Sequence, residues 1–356
     1  MMKLTDREWK PFAINTLFER FTPGKCSAVT HLEKSEYGIE YIGATNHNNG
    51  VLCYLAENEE NLKLVQDGNC IGFIKDGDGS AGYAIYKRES FVSTVNVIYG
   101  YASWLNSLTG LFFVGAQDMI KHKYSHGYKR NMQHLKADHV MLPADDNGQP
   151  DYQFMADYEL KLLDQKQSKI RSHVKQELAN LGSYVYLDDL NAREWSAFAL
   201  PDMFETERGR EKNMKSLIPG STPLVSAKKI NNGVKSFVGN PHKIISAGTI
   251  TLNNDGDGGA GLAYYQPINF ALDTHVTALH SRKRVSPYAL QFIAGSLSKQ
   301  HAVFGHGRSI SSPRAQRLKI MLPVNDQGQP DYDYMEQYIK NKMIQKYKKY
   351  LEYLGK

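Results

Sequence analysis

The sequence predicts an α+β fold made of two homologous halves, each a mixed α/β globular domain followed by a long helix. Three observations support this prediction. A sixteen-residue segment occurs twice, at 140–155 and at 320–335. Further motifs match around both copies, and each copy leads into a run without glycine or proline. With 356 residues, the chain is long enough for two or three domains of roughly 100–200 residues each.

The repeated segment reads VMLPADDNGQPDYQFM in the first copy and IMLPVNDQGQPDYDYM in the second, with ten of the sixteen positions identical. Agreement of this kind indicates an internal duplication. The offset between the copies changes along the chain, so insertions and deletions separate the matched motifs. The other matched pairs are 7–9 with 193–195, 48–51 with 231–234, 76–82 with 255–261, and 126–127 with 306–307. The duplicated halves are therefore about 1–183 and 184–356.

The globular part of each half is predicted to consist of short strands, turns and one helix. Asn-Asn-Gly-Val at 48–51 and 231–234 is typical of a hairpin turn, because Asn and Gly tolerate positive φ. Apolar residues at helical spacing predict helices at 103–120 and 286–304. The strands predicted beside a glycine-rich turn are 69–74 with 83–86, and 242–252 with 262–265; the closing strands are 139–142 and 319–322.

A long amphipathic helix is predicted at the end of each half. Asp151 follows a proline and is a favourable N-cap, and Gly182 is a favourable C-cap. The second copy runs from Asp331 to Gly355. Each helix is on the order of 35–45 Å long at 1.5 Å per residue. Since each has one apolar face, we expect the two to pack as an antiparallel, coiled-coil-like pair with pseudo-twofold symmetry.

Composition excludes several classes of protein. No run of about 18 apolar residues is present, so the sequence predicts no membrane span. The first residues lack the apolar stretch of a secretory signal. The three cysteines, Cys26, Cys53 and Cys70, have no CxxC spacing, which argues against a disulfide framework or zinc site and favours a reducing cytoplasm. The net charge of +6 permits an anionic partner.

Motifs for catalysis are not evident. The sequence has no dinucleotide-binding fingerprint, Walker A loop or nucleophile elbow. Pro150-Asp151, followed by Glu159 and Lys161, loosely fits a nuclease pattern, but the second copy lacks the lysine. A helix cap explains the aspartates of both copies better.

The Asp-Gly-Asp-Gly turns at 76–79 and 255–258 raise the question of calcium. An EF-hand loop needs a bidentate Glu at its twelfth position, which here is Lys87 in one copy and Gln266 in the other. Three interpretations stay open. The favoured one is a turn whose glycines allow close approach of another backbone; the others are a metal site and a turn whose neighbours contact nucleic acid.

Basic residues recur at the same place in each half. The stretches 121–136 and 306–319 contain no acidic residue. Lys and Arg bind phosphates, while Arg, Asn and Gln can contact base edges bidentately, so this pattern favours DNA binding. The candidate DNA-contacting residues are Lys75, Lys121, Lys123, Lys129, Arg130, Asn131, Gln133, Lys228, Lys229, Asn253, Asn254, Arg308, Ser309 and Arg314. No catalytic, cofactor-binding or metal-binding residue is predicted.

The whole chain resembles the specificity (S) subunits of Type I, or the related Type IIB, restriction–modification systems. The strand-to-helix junction carries the resemblance: Met141-Leu142-Pro143 leads to Pro150-Asp151-Tyr152, and the second copy repeats it. Short helices favour the Type IIB branch. The resemblance implies target-recognition domain 1 at 1–147, spacer helix 1 at 148–183, target-recognition domain 2 at 184–327 and spacer helix 2 at 328–356.

The resemblance further implies a non-catalytic subunit of a DNA methyltransferase/endonuclease complex. Each recognition domain would contact one half of a bipartite site in double-stranded DNA. The spacer helices would set half-sites about one helical turn, roughly 34 Å, apart. Because 128–131 and 308–311 differ, we expect an asymmetric target. Methyltransferase or fused methyltransferase–nuclease partners would bind S-adenosylmethionine; no cofactor is expected on this chain. The alternatives are a duplicated protein-interaction scaffold and a DNA-acting enzyme.

Overall fold

A computed structural model describes residues 2–77, 79–125, 127–256, 259–305 and 307–355, with the side chain of Ser312 outside the description. The chain divides into two compact units, Met1–Ile170 and Arg171–Lys356. The first unit ends inside a long helix, Tyr152–Leu181.

The two units contain the same succession of elements with small differences. The strands of the first half are β1 Trp9–Ala13, β2 Arg20–Pro23, β3 Lys34–Ser35, β4 Ile39–Ile42, β5 Val51–Leu55, β6 Cys70–Ile74, β7 Ala84–Lys87, β8 Phe91–Ser93, β9 Val97–Tyr101 and β10 His139–Pro143. Its helices are α1 Ile14–Leu17, α2 Glu59–Leu62, α3 Ser107–Gln117, α4 Met132–Ala137 and α5 Tyr152–Leu181.

The second half repeats this order. Its strands are β11 Trp195–Ala199, β12 Phe204–Arg208, β13 Pro219–Val225, β14 Val234–Val238, β15 Ile244–Ile245, β16 Thr249–Asn253, β17 Ala263–Gln266, β18 Phe270–Leu272, β19 Val276–Ser281 and β20 Lys319–Pro323. Its helices are α6 Leu200–Met203, α7 Pro287–Ser298, α8 Ser312–Ala315 and α9 Tyr332–Leu354.

Over the residues that the structure describes, each unit has three sheets. One four-stranded sheet has the same order in both, β2-β9-β6-β7 and β12-β19-β16-β17. The second four-stranded sheet contains, in both units, a hairpin and one strand parallel to it, but the fourth strand differs between the units. Its order is β3-β5-β4-β8 in unit 1 and β14-β13-β18-β15 in unit 2. The predicted strand at 242–252 is wrong in extent, because Gly248 has φ +82° and separates β15 from β16.

A two-stranded sheet closes each unit by pairing its first and last strands. β1 pairs antiparallel with β10, so that Trp9 lies opposite Pro143; β11 pairs with β20 in the same register, with Trp195 opposite Pro323. The two closing strands predicted from the sequence are thereby confirmed. The pairing brings the first strand of each unit beside the start of the long helix that follows its last strand.

One helix packs on the matching sheet in each unit. α3 contacts β6 and β7, and α7 contacts β16 and β17. Phe113 and Ile293 are each fully buried at these contacts. The helices predicted at 103–120 and 286–304 are confirmed but shorter, and the 3₁₀ helix Asp118–Lys123 follows α3.

The junction between last strand and long helix is an Arg–Asp pair in both units. The Asp151 carboxylate accepts from the backbone N–H of Phe154 at 2.8 Å and from Arg7 Nε at 2.8 Å. Burial alone would raise the pKa of Asp151, but these two donors lower it below its usual value. The carboxylate therefore caps the helix, as predicted.

The second junction reproduces the first. The Asp331 carboxylate accepts from the backbone N–H of Tyr334 at 3.0 Å and from Arg193 Nη2 at 2.5 Å. Two contacts within unit 2 join α9, in antiparallel order, to the last part of α5 and to the segment that follows α5. The Arg171 guanidinium donates to the carbonyl of Leu354 at the end of α9. Further along, the Asn341 amide donates to Val185 O at 2.6 Å.

The predicted α+β fold of duplicated domains, each followed by a long helix, is confirmed. Among the described residues, the helices are all too short or too polar to cross a membrane.

We predict that Asp151→Ala lowers the free energy of unfolding by about 1–2 kcal/mol, since it removes a helix N-cap and the carboxylate partner of the exposed Arg7. Urea unfolding followed by circular dichroism measures the change. The lowered pKa means that this contribution is complete above the unfolded-state pKa of about 4 and is lost as pH falls through the folded-state value. The difference between wild type and variant should therefore shrink in acid.

Asp164→Ala is the matched control, because Asp164 is an exposed aspartate in the same helix. A loss as large in Asp164→Ala as in Asp151→Ala would contradict the capping role.

Candidate nucleic-acid interface

Three loops meet in each unit and form what we call loop surface 1 and loop surface 2. They are a hairpin turn, a glycine-rich turn and a basic loop. In loop surface 1 they are 43–50, 75–82 and 121–131; in loop surface 2 they are 226–233, 254–261 and 301–311. Residues 78, 126, 257, 258 and 306 of these loops lie outside the described residues.

The hairpin turn has the same strained backbone in both units. Asn48 and Asn49 both have φ +48°, and Asn231 and Asn232 have φ +55° and +53°. The side chain of the second asparagine of each pair forms a hydrogen bond from the turn to the neighbouring strand. Asn49 Nδ2 donates to Tyr86 O at 3.0 Å, and Asn232 Nδ2 makes the equivalent bond at 2.8 Å. The hairpin turns predicted from the sequence are confirmed.

The glycine-rich turn lies against the hairpin turn. A Cβ on Gly77 would lie 2.4 Å from the carbonyl oxygen of Ala44, and one on Gly256 would lie 3.1 Å from that of Ala227. The favoured interpretation of the glycines, close approach of another backbone, is therefore confirmed. Asp78 and Asp257, on which the calcium interpretation depends, lie outside the described residues.

The basic loop is fixed to the glycine-rich turn by one equivalent hydrogen bond. The backbone N–H of Arg130 donates to Lys75 O at 3.0 Å in loop surface 1. In loop surface 2 the N–H of Ile310 donates to Asn254 O at 2.7 Å. The three loops of each unit therefore form one continuous surface on a shared frame.

Several predicted DNA-contacting residues lie together on these surfaces with exposed or half-exposed side chains. Loop surface 1 carries Lys75 and Lys129, and loop surface 2 carries Lys228, Lys229 and Arg308. Lys129 Nζ lies 2.5 Å from Asp76, so part of the positive charge of loop surface 1 is neutralised.

Further predicted residues lie on the basic loops of these surfaces or on the short helix that follows them. Ser309 is half-buried, and its carbonyl accepts from the Arg314 guanidinium. Asn131 caps α4 by accepting from His134 N at 2.8 Å, and Gln133 is exposed on that helix. Lys121 lies over the ring of Tyr83, and this contact raises the pKa of Lys121; Lys123 lies 3.4 Å from Asp138. For these residues DNA contact stays a prediction.

The prediction is corrected for Arg130, Asn253 and Asn254, because the structure places all three in the interior. Arg130 and Asn253 are 0% exposed and Asn254 is 1% exposed. Asn253 Nδ2 donates to Lys228 O at 3.2 Å, and Asn254 Oδ1 accepts from Thr277 at 2.8 Å. The two asparagines support the hairpin turn and the sheet instead of facing DNA.

Arg130 belongs to a buried polar cluster of unit 1. Its Nη2 lies 2.8 Å from Asp138, whose carboxylate also accepts from the Tyr124 hydroxyl at 2.7 Å. Burial lowers the pKa of Arg130, and Asp138 opposes that effect. Burial raises the pKa of the Tyr124 hydroxyl, and the bond to Asp138 raises it further.

Unit 2 has apolar residues at the three equivalent positions. At the offset of 180, Phe304, Ile310 and Leu318 replace Tyr124, Arg130 and Asp138. Ile310 is 2% and Leu318 8% exposed. Both clusters therefore fill the same structural position beneath the basic loop, one with an ion pair and one with hydrocarbon.

Residues that the sequence pattern missed are exposed on the same surfaces. Tyr128 is 51% exposed and stacks on His134 with ring centroids 4.6 Å apart. His47 and Ile230 are exposed at equivalent places in the hairpin turns, and Ile230 is 61% exposed. The sequence does contain a signal for Ile230, because an apolar residue between Lys228-Lys229 and two asparagines is unusual in a polar turn.

The geometry is that of a duplicated frame with two different basic surfaces, and comparison with known proteins agrees. The family model described as the Type I restriction modification DNA specificity domain matches residues 6–172 and again 192–353. The chain belongs to this family. It carries two DNA specificity domains, and the resemblance found in the sequence is confirmed.

Two relatives extend over nearly the whole chain. The chain is 23% identical to the Type II restriction enzyme BgcI specificity subunit S.BcgI of Heyndrickxia coagulans, over 95% of this chain and 96% of that protein. The crystal structure of the Type I restriction-modification system S subunit from M. genitalium is similar in fold. It is 16% identical, has a TM-score of 0.51, and the match covers 99% of this chain and 94% of that one.

We predict that the buried ion pair of unit 1 can be exchanged for the hydrocarbon of unit 2. Asp138→Leu alone leaves the buried Arg130 without a carboxylate partner and should cost about 3–5 kcal/mol of unfolding free energy. Arg130→Ile alone leaves the buried Asp138 with only the half-exposed Lys123 as a cation and should also be destabilising. Combining both changes with Tyr124→Phe should recover most of that loss, because apolar replacement of a whole buried pair is often neutral. Urea unfolding measures the stability.

DNA affinity of the combined variant should stay at the wild-type value, since Arg130 is buried. A combined variant as unstable as either single one would contradict the equivalence of the two clusters.

Proposed function

We propose that this chain is the non-catalytic DNA specificity subunit of a restriction–modification complex, and that each loop surface contacts one half of a bipartite, asymmetric DNA site. One observation carries the proposal: a duplicated frame presents two basic loop surfaces with different side chains. Two identical surfaces would favour two identical half-sites, whereas these two favour different ones.

The chemistry of the exposed residues suits double-stranded DNA. Lysines and arginines bind phosphates and fix the register, while polar side chains contact base edges in the grooves. Loop surface 2 has Lys228, Lys229 and Arg308 exposed or half-exposed, whereas Lys129 of loop surface 1 is paired with Asp76.

The chemical steps are assigned to partner subunits. The relative that spans this chain is itself named a specificity subunit of a restriction enzyme, which supports a division of labour between recognition and reaction. The partners would be methyltransferase or fused methyltransferase–nuclease subunits, and they would bind S-adenosylmethionine.

The test of DNA binding is a salt titration with the double variant Lys228→Ala/Lys229→Ala. Each lost phosphate contact should lower the slope of log K against log salt by roughly 0.9. The double variant should therefore bind more weakly and lose up to about two units of slope. Fluorescence anisotropy with a labelled duplex measures both quantities.

Lys348→Ala/Lys349→Ala is the matched control, because these neighbouring lysines are exposed on α9. Equal losses in the two double variants would indicate nonspecific attraction. A wild-type chain without any salt-sensitive DNA binding, alone or with its partner subunits, would overturn the proposed function and favour a protein-interaction scaffold.

Substitution of one exposed arginine tests the assignment of one half-site to each surface. Arg308→Ala should weaken binding by about 1–3 kcal/mol if the guanidinium contacts a base. The loss of affinity should depend on the bases of one half-site and not on those of the other. Competition binding with duplexes altered in either half-site measures this, and equal sensitivity of both half-sites to the substitution would contradict the assignment.

A further inference from the structure

Position 47 in unit 1 and position 230 in unit 2 occupy the same place in the hairpin turn. The backbone N–H of Gly50 donates to His47 O at 2.9 Å, and that of Gly233 donates to Ile230 O at 3.1 Å. Each residue directly precedes the pair of asparagines with positive φ. The turn therefore presents whichever side chain stands at this position in the same way in both units.

The backbone of the turn is fixed on both sides of Ile230. Lys228 O accepts from Asn253 Nδ2 at 3.2 Å and from the Tyr264 hydroxyl at 3.2 Å. Asn232 Nδ2 donates to Tyr265 O at 2.8 Å. A turn held at both ends loses little conformational entropy when a partner binds, which favours a defined contact.

The surroundings of Ile230 point to nucleic acid. It is 61% exposed and lies between Lys228-Lys229 and the asparagine pair. Lysine ammonium groups attract phosphates, and an apolar side chain beside them can pack on the C5-methyl group of thymine in the major groove. At the equivalent position, the His47 ring can donate to or accept from a base edge.

We propose that the side chain at this turn position is a specificity determinant in each half-site: Ile230 contacts a thymine methyl group, and His47 makes a hydrogen bond to a base edge. The proposal rests on the proposed function. It explains how one turn geometry, used twice, distinguishes two half-sites by the exchange of a single side chain.

The experiment selects bound sequences from a random duplex DNA pool with the full-length chain, and compares wild type with Ile230→His and His47→Ile. Ile230→His should change the base preference at one or two adjacent positions of one half-site and leave the other unchanged. His47→Ile should change the other half-site. The control is Ile244→His, because Ile244 is 53% exposed and lies on β15, the edge strand opposite the hairpin in the order β14-β13-β18-β15.

A second measurement replaces each thymine of the selected site by deoxyuridine. Removal of the contacted methyl group should weaken wild-type binding about fourfold, the value of one buried group of that size. Ile230→Ala should be insensitive to the same replacement. Thermal unfolding at the wild-type temperature confirms that each variant is folded.

The outcomes separate the inference from the proposed function. If the wild-type chain enriches no sequence from the pool, either alone or with its partner subunits, the proposed function fails. If it enriches a bipartite site but Ile230→His enriches the same one, or no single deoxyuridine weakens wild-type binding, the inference about the turn is wrong while the proposed function stands.

Discussion

The rest of the structure depends on one constraint, the pairing of the first and last strands in each unit. One Arg–Asp contact stabilises this pairing. Arg7 and Asp151 are separated by 144 residues, and Arg193 and Asp331 by 138. The contact brings the residues just before the first strand of the unit, its last strand and the N-terminus of the following long helix together. Since the aspartate also caps the helix, the direction in which the helix leaves the globular part is set by the same carboxylate.

On this frame the loops are free to differ. The two hairpin turns share their asparagines with positive φ, their close approach to the glycine-rich turn and the hydrogen bond to the basic loop. Below the basic loop, an ion pair in unit 1 and hydrocarbon in unit 2 fill one position. Recognition of two different half-sites requires similar backbones that carry different side chains. The side chains contact the bases, whereas the shared backbone frame sets the register on the DNA.

The sequence was sufficient for features with a local cause. The caps at Asp151 and Asp331, the hairpin turns and the closing strands follow from local residue preferences and were confirmed. Burial was harder to predict. Arg130 stands in a stretch without acids, but Asp138, its partner, lies two residues beyond that stretch. Comparison of the two copies could have revealed the burial of Arg130, because Ile310 occupies the equivalent position in the second copy. A surface arginine would have no reason to be replaced by an isoleucine that is 2% exposed.

The measurement that tests the central claim most directly makes the two surfaces the same. The hairpin turn, glycine-rich turn and basic loop of unit 2 are replaced by those of unit 1, together with the buried residues beneath them. Sites are then selected from a random duplex pool. If recognition resides in the loop surfaces and each serves one half-site, the chimera should select two copies of a single half-site sequence. Selection of the unchanged asymmetric wild-type site by the folded chimera would contradict the account.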